Sequence, residues 1–123
     1  MSEMTIITIA VFGSSAMLFF ILGIPMAIRK VKPNQIYGAR TKYTLMDEEI
    51  WYDVNAVAGK LLMVTGVVLA AIAIVPVFYK LEKPYDLYYL VGGAGVEFIL
   101  LILMTVKVVT MSRNMAREKG LLK

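Results

Sequence analysis

The chain has 123 residues, 59% of them hydrophobic, with a formal net charge of +4 and neither Cys nor His. That apolar share exceeds the ~45–50% of ordinary soluble domains and points to one small membrane unit. The missing residue types exclude disulfides, thiolate nucleophiles, imidazole bases and the usual zinc constellations.

Met4 to Ile28 carries no charge and exceeds the ~20 residues needed to cross a hydrocarbon core of ~30 Å. It is a first spanning helix, bent or loosened near its end by Pro25 after Gly23. No positive n-region precedes it, so it is expected to be retained.

Lys32 to Lys60 is the one long polar stretch. Pro33 with Asn34 starts a turn, and Gly38 tolerates positive φ. Thr44 stands three residues before Asp47 in a spacing like that of a capping box, so a helix is expected near Leu45. Its first turn carries Asp47, Glu48 and Glu49, where carboxylates meet the positive end of the helix dipole. At ~100° per residue, Asp47, Trp51, Asn55, Ala58 and Leu62 share a packing stripe, opposite Glu49, Asp53 and Lys60. Asn55 on that stripe needs a partner, because burying a free amide costs on the order of 2 kcal/mol. Trp51 reads as an anchor at the membrane surface. Arg40 reads either as a clasp on Asp47 or Glu48 or, with Thr41, as a donor to an anionic headgroup or peptide carboxylate.

Leu61 to Tyr79 is uncharged again, and with a lead-in from Val57 it spans. Asn55, Gly59, Leu62, Gly66, Leu69 and Ala73 trace a small and polar seam for helix packing. A short connector around Pro84 leads to a third apolar run, Leu87 to Val106, giving an antiparallel hairpin. Glu97 falls roughly 15 Å below its start, near the midplane. It is either a proton or cation site or a neutral acid donating a hydrogen bond to Ser14, Ser15 or Thr65.

Arg29, Lys30, Lys32, Arg40, Lys42, Lys107, Arg113, Arg117, Lys119 and Lys123 lie on one side of these spans, against Lys80 and Lys83 on the other. By the positive-inside rule the N-terminus is outside and the polar stretch and tail are cytoplasmic. This sidedness explains the basic excess without nucleic acid. Tyr79, Tyr85, Tyr88 and Tyr89 form an outer aromatic belt, and Tyr37, Tyr43, Trp51 and Tyr52 lie near the inner surface.

The expectation is therefore an all-α integral membrane protein, a single domain in the cell membrane. Three transmembrane helices run at about 4–28, 57–79 and 87–107, with a structured cytoplasmic loop at 29–56 and a cytoplasmic tail at 108–123. No catalytic, cofactor-binding or metal-ligating residues are expected, since no nucleophile–base pair can be named.

The series Pro33-Asn34, Tyr37-Gly38, Arg40-Thr41, Thr44, Asp47, Trp51, Asn55 and Gly59, followed directly by a spanning helix, resembles the pattern of the SdpI family of bacterial immunity membrane proteins. The resemblance implies protection of a bacterial or archaeal host from a membrane-active peptide toxin. It also implies capture of a soluble repressor at the membrane, as in the best-known type. That type has six spans where this chain has three, which points to a homo-oligomer. The candidate motif is Asn34, Gly38, Arg40, Thr41, Thr44, Trp51, Asn55 and Gly59, with Glu97 as a separate intramembrane polar group. The alternatives to immunity are a small oligomeric transporter or ion pathway using Glu97, and a membrane regulator binding a soluble protein.

Overall fold

The computed structural model describes residues 1–122; Lys123, counted above with the basic tail, lies outside them. Three helices follow in order: α1 (Glu3–Ala27), α2 (Glu48–Phe78) and α3 (Tyr85–Glu118), with no strand among the described residues. All three are long and apolar enough to cross a membrane. The chain is an all-helical, multi-pass membrane protein.

The 31 residues of α2 and 34 of α3 correspond to ~46 Å and ~51 Å, well beyond a ~30 Å hydrocarbon core. Both helices continue past the apolar spans at the end where connection 28–47 lies. Helix α2 begins at Glu48 and not near Leu45, because Asp47 is its N-cap and its carboxylate accepts from the Ile50 N–H at 3.2 Å. Thr44 is used one turn earlier, as described below.

Helix α1 is capped by Ser2, whose hydroxyl accepts from the Thr5 N–H at 3.1 Å. Its other end closes where Arg29 N–H donates to Met26 O and Lys30 N–H donates to Pro25 O. This geometry requires a left-handed residue after the cap, and Arg29 takes it at φ 62°, a position usually filled by glycine.

The main packing seam joins α1 to α2 along the predicted small-residue face. Asn55, Gly59, Gly66, Leu69 and Ala73 are all buried. Gly23 and Gly59 bring the two backbones together: a Cβ on Gly59 would lie 2.5 Å from Gly23 O and Ala27 N. Contact this close needs glycine on both helices.

Helix α3 is held at its two ends. Near its start the Tyr89 hydroxyl donates to Ile72 O at 2.6 Å and Gly93 receives the fully buried ring of Phe12. Near its finish Val108, Ser112 and Ala116 are buried, and the helix continues through most of what the sequence suggests is a tail. Between Gly93 and Val108 none of its residues is buried. Glu97 lies in this open stretch, half-buried. Of the two readings of Glu97, the bond to a hydroxyl of Ser14, Ser15 or Thr65 is not formed: Ser14 donates to Ala10 O and Thr65 to Leu61 O, each within its own helix.

Candidate functional site

Connection 28–47 has no helix or strand of its own, so its backbone groups must be satisfied by side chains. Asn34 does this at the first bend. Its Oδ1 accepts from Ile36 N–H at 2.8 Å and Tyr37 N–H at 2.7 Å, while Nδ2 donates to Lys32 O and Tyr37 O. Both ends of the amide are fully used. The Tyr37 hydroxyl then donates to Leu22 O in α1, and burial pushes its phenol above the ordinary range.

Trp51 and Asn55, one turn apart on α2, form the floor on which the connection rests. Trp51 has no exposed surface and its Nε1–H donates to Val31 O at 2.8 Å. It is an interior pin for the connection, not the surface anchor expected from the sequence, because the connection folds back over the ring. Asn55 Oδ1 accepts from Ala39 N–H at 2.7 Å, and its Nδ2 donates to Trp51 O at 2.9 Å. Gly38, at φ 115°, lies directly over both: a Cβ there would come 2.7 Å from Asn55 Oδ1 and 3.0 Å from the Trp51 ring.

Thr41 and Thr44 close a tight turn reciprocally. Thr44 Oγ1 accepts from Thr41 N–H at 2.8 Å, and Thr41 Oγ1 accepts from Thr44 N–H at 3.0 Å. The buried Thr44 hydroxyl donates back to Ala39 O, and Thr41 donates to Ser112 Oγ at 3.1 Å, which ties the turn to α3. Ser112 in turn donates to Val109 O.

The clasp of Arg40 on Asp47 or Glu48 is absent. Arg40 is exposed, and its hydrogen bond is a long one, 3.3 Å to Gln35 Oε1. The acidic start of α2 is taken by Lys119 at the end of α3, whose Nζ lies 3.0 Å from Asp47 Oδ2 and 2.7 Å from Glu49 Oε2. Lys119 holds the Asp47 carboxyl below the usual carboxylate range, helped by the Ile50 N–H, and the two carboxylates raise Lys119. Arg29 pairs separately with Asp53 at 2.6 Å.

The connection, α1, α2 and α3 together enclose a half-open cleft of about 370 Å³, within the ~300–1,000 Å³ of ligand sites. Leu22, Met26, Ala58, Leu62, Met104 and Val108 make its lining apolar, and Arg40 is the one charged residue in it. The structure therefore divides the predicted motif in two. Asn34, Thr44, Trp51, Asn55 and Gly59 build the scaffold, while Gly38, Arg40 and Thr41 border the cleft. Glu97 belongs to neither group. The sequence reading gave no site role to Ser112 or Lys119 and placed Tyr37 in the pattern without its bond to α1; the small or apolar residues Val108, Ser112 and Ala116 at four-residue spacing were the readable sign that α3 packs beyond the membrane. Among the described residues no acidic cluster is placed to hold a metal ion.

No curated relative and no solved structure matches this chain. The sequence model of the SdpI/YfhL protein family matches residues 30–112, which takes in the folded connection, all of α2 and α3 as far as the Ser112 hydroxyl that receives Thr41. With more than half of its length matched over the unit that carries the motif, the chain belongs to the SdpI/YfhL protein family.

Proposed function

We propose that this protein is a non-enzymatic immunity protein that protects its host cell from a membrane-active peptide toxin, with the motif unit on the cytoplasmic side. One observation carries the reading: the family match coincides with the segment in which side-chain hydrogen bonds fold a long connection onto α2 and α3. A connection longer than ~12–15 residues without secondary structure is usually functional when it is ordered. The unpartnered apolar flanks of α1 and α3 are the surfaces that a hydrophobic toxin meets inside the bilayer. The motif unit fixes the spacing of those helices.

Expression in a toxin-sensitive strain tests this reading. Survival under toxin should rise with the intact chain, and Arg40→Ala should lower it at equal protein level. Absence of protection against every membrane-active peptide tried would overturn the proposal.

A further inference from the structure

We propose that the cleft beneath the motif is a lipid site, holding one acyl chain of an anionic phospholipid with its phosphate on Arg40. The chemistry of the lining selects this occupant. Every hydroxyl that borders the cleft is already spent: Tyr37 donates to Leu22 O, Thr41 to Ser112 and Thr105 to Leu101 O. The remaining lining side chains are apolar except for Arg40. A polar solute would lose its hydration there with no uncommitted hydroxyl donor to replace it. An amphiphile with a single anionic end loses least, since its chain meets Leu22, Met26, Leu62 and Met104 and its phosphate meets a guanidinium.

Arg40 is suited to the headgroup. It is exposed, and among the described residues no carboxylate pairs with it, whereas Arg29 and Lys119 are both engaged with acids. A guanidinium binds phosphate through two parallel N–H donors. Lys42, two positions along, and Lys107, between cleft residues Thr105 and Val108, add positive charge nearby. The α3 wall of the cleft adjoins Leu103 and Val106, exposed apolar residues of a spanning helix, so the bilayer itself supplies the ligand. This inference does not depend on the immunity reading, and its test contains no toxin.

Trp51, the only Trp in the chain, packs behind Gly38 in the cleft wall and serves as the reporter. The purified full chain is reconstituted in vesicles doped with phosphatidylglycerol or phosphatidylcholine brominated along the acyl chains, and quenching of Trp51 is read at equal mole fraction. Phosphatidylglycerol should bind about fivefold more tightly, as expected for one basic contact. Arg40→Gln should abolish that difference, and Val109→Phe, at an exposed position bordering the cleft, should reduce quenching by both lipids. Equal quenching by the two headgroups in the native chain, or an unchanged preference in Arg40→Gln, would overturn the proposal. Relief of quenching by an equimolar apolar peptide with a free C-terminal carboxylate would assign the cleft to a peptide and overturn it too.

Discussion

Asn55 shows how one amide can organise a connection sixteen residues away. Replacing it with Leu keeps the volume similar but leaves the Ala39 N–H without its acceptor, which costs about 1–3 kcal/mol. Thermal unfolding of Asn55→Leu in detergent should show that loss, with Trp51 emission shifting to the red as the connection lifts; an unchanged transition would show that the bond carries little. Arg29 poses the opposite case. Its left-handed backbone costs about 1–2 kcal/mol, while an exposed ion pair such as the one to Asp53 returns about 0.2–1 kcal/mol. Arg29→Gly should therefore stabilise the protein slightly, by about 1 kcal/mol, and a fall in unfolding temperature would mean the pair outweighs the strain. At this scale the sequence was partly legible. Helical periodicity placed both Trp51 and Asn55 on the packing stripe, where both are buried, but it could not say that Trp51 would bond Val31 O, because that depends on where a non-periodic connection folds back.

Between elements, the α1–α2 contact depends on the absence of two side chains. Gly59→Ala puts a Cβ against backbone atoms that have no rotamer to change, so α1 and α2 must separate, at about 1–3 kcal/mol or more. Lower unfolding temperature and faster proteolysis of connection 28–47 should report it; Gly92→Ala, with open space around it, is the control. The end of α3 is fastened to the start of α2 by Lys119, and its pH dependence follows from the two shifts. Asp47 titrates below its ordinary value, so its contribution is complete above that value and is lost as pH falls through the depressed one. Lys119 titrates above its ordinary value, so its contribution is complete below it and is lost as pH rises through the elevated one. Amide protection factors near Ala116, corrected for intrinsic exchange, should be highest across the neutral range, fall at both extremes and fall with salt. Protection that did not change in Lys119→Gln would rule the ion pair out as the fastening. None of this was visible in the sequence, since Lys119 and Asp47 are brought together only by how α3 leans.

For the whole molecule, the spans were the most readable feature because hydrophobic length alone determines them. Length alone did not fix how far α2 and α3 run past the membrane; the helical stripe from Asp47 to Leu62 already carried α2 into the polar stretch, and α3 runs on to Glu118. Sidedness is tested by single cysteines in a chain that has none. Lys42→Cys should react with an impermeant maleimide only after cells are opened, and Lys83→Cys should react in intact cells; labelling of position 42 from outside would invert the proposed orientation. The uninterrupted run of α2 from Glu48 to Phe78 has one more consequence. Trp51 and Asn55 stand on a rod whose one proline, Pro76, lies in its last turn beside the Tyr79 corner, so no proline break separates the motif from the greater part of the span. A shove on either surface of the membrane reaches the other as a translation or a tilt, and the polar assembly riding on the rod's first turns moves with it.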